Sequence, residues 1–239
     1  MIRLNRFRAS WLLLAALLWL LPPAPGMAAD PGERLWDKNL VYNSSFEEGE
    51  DRPTGWTQRR AFSFGQTIVP AQMSIDREVS RTGKQSFHIS SPDGTTAWHS
   101  MESKPVPVEP GKHYKVAGWI KTENVHAVGS QPLHCNLHIR FTNAKGASVA
   151  VGGSRVVWTR TIYGTKDWTA VERIVTAPEG AVEARAGCVL TCSGKAWFDD
   201  VTLHAQVPIP WNKKETERIT FLYEGAGAPT EEKVASTPR

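Results

Sequence analysis

The feature that most constrains this chain is a two-residue alternation of apolar and polar side chains, arranged in short runs that turn signals keep interrupting. It is clearest at 133–141. There Leu133, Cys135, Leu137, Ile139 and Phe141 fall on one face of an extended strand, and His134, Asn136, His138 and Arg140 on the other. The run 182–190 divides the same way, with Val182, Ala184, Ala186, Cys188 and Leu190 inward and Glu183, Arg185 and Gly187 outward. At 114–122 the inward set is Tyr114, Val116, Gly118 and Ile120, and the outward set includes Trp119 and Lys121. Further runs are read at 39–43, 71–76, 85–90, 97–101, 149–158, 168–176 and 196–204, with Pro, Gly, Asn and Asp turns between them. No helical period persists after the first residues. Many short half-buried strands predict an all-β chain, an antiparallel β-sandwich or jelly roll.

The two ends read differently. Arg3, Arg6 and Arg8 precede an apolar run at 11–21, three prolines, and the small residues Ala28 and Ala29. This is the order of a secretory signal peptide over 1–29, and the run is short for a bilayer span. The expected address is secreted, periplasmic or cell envelope, with no stable membrane span after cleavage. The net charge of +4 drops to about +1 without those three arginines, which removes the case for nucleic acid. The sandwich is expected over 30–206. Residues 207–239 read as a partly disordered C-terminal extension, with one apolar cluster at 219–223. Three cysteines cannot all pair. Cys135 bridged to Cys188 or Cys192, or three free thiols, both suit the pattern.

The last strand carries two carboxylates in an apolar run. Alternation puts Asp199 with Trp197, Val201 and Leu203, toward the core, and Asp200 outward. A buried carboxylate requires a cation, a proton or a basic side chain to compensate it.

Six short segments, in order, resemble the jelly-roll carbohydrate-binding modules, the galactose-binding-like β-sandwiches. They are the stretch from Asn39 to Gly49; Pro53-Thr54-Gly55-Trp56; Arg81-Thr82-Gly83-Lys84-Gln85-Ser86; Pro110-Gly111-Lys112-His113-Tyr114 with Gly118-Trp119-Ile120-Lys121; Asp167-Trp168-Thr169; and the last strand. The resemblance implies a non-catalytic module that binds a polysaccharide or oligosaccharide. It also implies a structural calcium held by Glu47 and Asp199, with carbonyls from Ser45 and from Thr82 to Lys84. The alternative is an adhesive envelope protein that uses the sandwich, or its C-terminal tail, to bind a protein partner.

The expected sugar site is one outward sheet face carrying Trp119, Lys121, His134, Asn136, His138, Arg140, Glu183 and Arg185. Rings stack on sugar C–H faces, and planar polar groups take hydroxyls. Trp98, Trp158 and Tyr163 are the candidates for exposed stacking platforms. His134 and His138 lie about 13 Å apart on a strand, too far to share one zinc ion. The chain has no nucleophile elbow, zinc-protease, phosphate-loop or dinucleotide motif. No enzyme activity is expected.

Overall fold

A computed structural model describes residues 35–59, 62–63, 70–94, 97–129 and 134–207. The expected signal peptide, the cluster at 219–223, all of the extension beyond Val207, and Leu133 lie outside the described residues. Thirteen strands are described: β1 (Trp56–Gln58), β2 (Phe62–Ser63), β3 (Gln72–Asp76), β4 (Ser86–Ser91), β5 (Ala97–Ser103), β6 (Val106–Pro107), β7 (His113–His126), β8 (Cys135–Thr142), β9 (Ser148–Val149), β10 (Val157–Trp158), β11 (Gly164–Thr176), β12 (Glu183–Leu190) and β13 (Ser193–Ala205).

They form two antiparallel sheets, a β-sandwich of the jelly-roll type. The eight-stranded sheet runs β1-β5-β12-β8-β10, with β2 on β5, β6 on β12 and β9 on β8. The five-stranded sheet runs β11-β7-β13-β4-β3. Inward alternation builds the core. Leu137, Ile139 and Phe141 from β8 and Ala184, Ala186 and Cys188 from β12 share one apolar cluster with Val116 and Ile120 from β7. The packed rings of Phe46, Trp56, Phe87 and Phe198 extend it, with centroids 4.8 to 6.3 Å apart. Gly118 permits the close approach of the sheets, because a Cβ there would lie 2.8 Å from Leu137 Cδ1. Cys135, Cys188 and Cys192 are free and buried. Burial pushes the Cys192 thiol up to about 12.

Three readings need correction. The run 39–43 is not a strand. The Asn39 side chain takes the N–H groups of Val41 and Leu203, and Asn43 and Phe46 have positive φ, so the segment turns instead of extending. The run 149–158 is two short strands, because Gly152 and Gly153 (φ 55° and 83°) close a hairpin-like turn between Val151 and Ser154. The third concerns β13. Its register to β7 slips between Asp199 and Thr202, and Asp200 has φ 50°. This bulge reverses the alternation: Ala196 and Phe198 point into the core before it, and Val201, Leu203 and Ala205 after it. Trp197 therefore sits on the outer face, where it stacks on His88 and donates to Asp76.

Candidate functional site

The outer face of the eight-stranded sheet carries one continuous cross-strand row. Thr57 pairs with Glu102, Glu102 with Gly187, Gly187 with His138, and His138 with Trp158. Gly187 lets the row close. A Cβ there would fall 2.3 Å from His138 Cε1, so the imidazole lies over β12 and reaches Glu102 on the far side, Nε2 to Oε1 3.2 Å. Arg140, the next outward residue of β8, makes a two-point bond to Glu102, Nε to Oε1 3.0 Å and Nη2 to Oε2 2.5 Å. Arg59 adds a longer contact of 3.4 Å.

Glu102 is only 3% exposed. Burial alone would raise its pKa. The bonds from His138 and Arg140 outweigh burial and hold the carboxyl well below its usual range. Burial pushes the His138 imidazole down, against the pull of Glu102. A neutral His138 donates its Nε2–H to ionised Glu102 and leaves Nδ1 as an acceptor.

A groove of about 320 Å³ opens beside this row. Its lining includes Thr57, Arg59, Glu102, Arg140, Thr142, Glu183 and Arg185. Arg185 is the direct cross-strand neighbour of Arg140 and donates to the Ser103 carbonyl at 2.8 Å. Hydrogen-bonding capacity is left over along β8. His134 Nδ1, Asn136 Oδ1, His138 Nδ1 and Thr142 Oγ1 are all buried without a partner. Asn136, His138 and Thr142 share one face of β8 with Arg140, and His134 stands just before the strand.

Aromatic rings flank the row. Trp158 packs against Trp98, His134 and His138, with centroids 4.9 to 5.2 Å apart. Trp98 is not the exposed platform expected of it: it is only 9% exposed and lies against Trp158 and His134. Trp158 is half-buried. Tyr163, between β10 and β11, is 66% exposed.

The structure thus brings together His134, Asn136, His138, Arg140, Trp98, Trp158, Glu183 and Arg185. It separates Trp119 and Lys121 from them. β7 belongs to the five-stranded sheet, where the Arg81 guanidinium lies 3.7 Å from the Trp119 ring and Lys121 pairs with Asp167. Alternation tells which way a side chain leaves its own strand, not which sheet that strand joins. Sequence reasoning misses Thr57, Arg59, Glu102 and Thr142. Glu102 is within its reach: extending the run 97–101 by two residues places it outward with Trp98 and Ser100.

The acids at the seam of the other sheet are satisfied differently. Glu47 accepts from the amides of Lys84 (3.0 Å) and Gln85 (3.2 Å). Asp199 Oδ2 accepts from the amides of Arg81 (2.8 Å) and Thr82 (3.1 Å). Its Oδ1 lies 2.9 Å from Ser45 Oγ and 2.7 Å from the Asp200 amide. Asp200 does not simply point outward. It meets Ser45, Thr82 and the Arg81 guanidinium, the last at 2.6 Å. Burial raises the Asp199 pKa, against the bonds from Arg81 and Thr82.

The residues of the expected calcium set, Glu47, Asp199, Ser45 and Lys84, meet at this seam, where N–H and O–H donors occupy the carboxylates. Four donors surround Asp199, and Lys84 offers Glu47 its N–H. Among the described residues no group of three or more His, Cys, Asp or Glu side chains is placed to hold a metal.

The family model described as a carbohydrate binding domain matches residues 38–186. The tRNA nuclease WapA of Bacillus subtilis (strain 168) is 25% identical over 212 residues, covering 81% of this chain. The chain spans only 8% of the length of that relative. Among solved structures, Family 16 Carbohydrate Binding Module-2 is 19% identical with a TM-score of 0.46, covering 69% of this chain and 99% of that one. The CBM22-1 xylan-binding domain of Paenibacillus barcinonensis Xyn10C is 16% identical with a TM-score of 0.44, covering 69% of this chain and 93% of that one.

Proposed function

We propose that this chain, which belongs to the carbohydrate binding domain family, is an exported, non-catalytic module that binds a polysaccharide or oligosaccharide on the outer face of its eight-stranded sheet. The observation that carries this reading is the groove lined by Arg59, Arg140, Arg185 and Glu183 on the same sheet face as the half-buried Trp158 ring. A saccharide needs that combination, an apolar platform beside convergent planar polar groups.

The carboxylates speak against glycoside hydrolysis. A glycosidase pairs an acid that is protonated near its working pH with a second carboxylate across an open bond. Glu102 is buried and bonded by Arg140 and His138, which hold its carboxyl well below the usual range. Asp199 is 0% exposed and surrounded by donors, so of the pair Glu47 and Asp199 only Glu47 is open to solvent.

Isothermal titration of the full chain against soluble plant and bacterial polysaccharides tests the proposal. Binding is expected for at least one class. Trp158→Ala is expected to weaken it at least about tenfold, the loss of roughly one stacking contact. Absence of binding to every class by a folded protein overturns the proposal.

A further inference from the structure

We infer that the groove beside Glu102 recognises an acidic saccharide, and that Arg185 and Arg59 read the carboxylate of a uronate residue. The inference rests on the saccharide reading above and narrows its ligand class.

Which charges in the groove are already matched decides the question. Arg140 and Arg185 stand directly opposite each other on neighbouring strands. Like charges at that spacing destabilise a sheet unless something compensates them. Glu102 compensates Arg140 through two bonds. Its Oε1 is also taken by His138 and Arg59, and among the described residues it makes no ion pair with Arg185. Among the described residues Arg185 reaches the neutral carbonyl of Ser103 and no carboxylate. Among the described residues it forms no ion pair with Glu183, the other carboxylate of the lining.

Three guanidinium groups thus face two carboxylates in one groove. A guanidinium has five N–H donors, and Arg185 places one of them. The Thr142 hydroxyl, 3% exposed, lines the same groove without a partner. A further carboxylate entering the groove would take the free fork of Arg185 and the half-exposed Arg59. The planar fork suits a carboxylate better than a point cation would. A neutral sugar would leave the Arg140–Arg185 repulsion unrelieved.

The test uses the full chain near pH 7 with three probes: an oligogalacturonate, its methyl ester, and a neutral xylo-oligosaccharide. The oligogalacturonate is expected to bind at least about tenfold more tightly than its ester, an effect of one matched ion pair. The preference should shrink as salt is raised. Arg185→Gln is expected to bring the ratio close to one. Arg59→Gln is expected to lower it less, and also serves if Arg185→Gln does not fold. Arg173→Gln, an equal charge change on the exposed face of β11, is expected to leave it intact.

Equal binding of acid and ester overturns this inference and leaves the saccharide reading standing. Binding of none of these probes or of any other saccharide overturns both. An Arg173→Gln variant that loses the preference as fully as Arg185→Gln would assign it to net charge and overturn the groove as its origin. A sulfated oligosaccharide that outcompetes the carboxylate would overturn the carboxylate assignment.

Discussion

Glu102 and Asp199 are both removed from solvent, at 3% and 0% exposure, yet the two sheets compensate them by opposite means. Asp199 is held by backbone amides of the 81–82 segment, by Ser45 and by its own neighbour's amide. Those donors are fixed by the chain path, and Gly83 (φ 61°) is what lets the loop wrap the acids: a Cβ there would lie 2.2 Å from Glu47 Oε1. Glu102 is held by side chains, His138, Arg140 and Arg59, which carry further donors and acceptors toward a groove. A carboxylate closed by backbone locks structure. One closed by cationic side chains organises a surface that a ligand can share.

The sharpest way to break this contrast is Glu102→Gln. It leaves the guanidinium of Arg140, 12% exposed, without its carboxylate. Removing one member of a buried pair costs about 3 kcal/mol or more. Urea unfolding should report that loss. A loss below about 1 kcal/mol would mean the pair behaves as a solvent-screened surface bridge, and the contrast with Asp199 would collapse. Asp199→Asn comes next. Either orientation of the new carboxamide sets its N–H₂ against backbone N–H groups, those of Arg81 and Thr82 or that of Asp200, for a loss of about 2 kcal/mol, the cost of unmade buried hydrogen bonds. Saccharide binding should survive it, whereas Glu102→Gln should impair both stability and binding.

Gly187→Ala is expected to cost about 1 to 2 kcal/mol, the usual range for overpacking. The new methyl would meet the His138 ring, and the ring would be displaced from Glu102. Combining it with His138→Ala should recover much of the loss in a double-mutant cycle, since the shortest contacts are with that ring and only the Met101 carbonyl, at 3.0 Å, then stays close. Simple additivity of the two losses would show that Gly187 is needed for its backbone and not for the room it leaves.

Half of this site is legible in the alternation of β8 and β12. His138, Arg140 and Arg185 leave their strands on the side the sequence pattern assigns them. The pattern carries no sign that β7 enters the other sheet, so alternation alone groups Trp119 with residues on the opposite side of the sandwich. Nor does it report the bulge at Asp199, which depends on a register slip against β7 that no local spacing encodes. Glu102 escapes because its strand runs on past Met101 into Ser103, where polar residues look like a loop but are buried by their neighbours.

Acidification should separate the two carboxylates further, with a smaller effect. Burial, outweighing the pull of Glu102, places the His138 pKa below its ordinary value. The unfolded chain therefore binds the proton first, and the stability contributed by the neutral ring is lost as pH falls below about 6.5. Glu102 has a depressed pKa for which the sign is the same, with its contribution present above the ordinary carboxylate range and lost on deep acidification. Unfolding midpoints should fall as pH is lowered from about 7.5 to about 5. His138→Phe should flatten the upper part of that decline. An unchanged profile in that variant would assign the decline to other groups and leave His138 a passive spacer.

The smallest expected effect is the response to calcium, and it tests the backbone-closed half of the comparison directly. An ion that binds only the folded chain raises stability by RT ln(1 + [L]/Kd), about 4 kcal/mol at a thousandfold excess over Kd. At Glu47 and Asp199 the ion would compete with the amides of Arg81, Thr82, Lys84 and Gln85 for the carboxylate oxygens, and it would sit near the Arg81 guanidinium on Asp200. Calcium at about 1 mM is therefore expected to shift the melting temperature by less than about 1 °C relative to chelator, since that competition and the nearby positive charge leave little net gain. A rise of several degrees that disappears in Asp199→Asn would show that the clasp rearranges around the ion. It would also make calcium, and not the amides, the group that closes this seam.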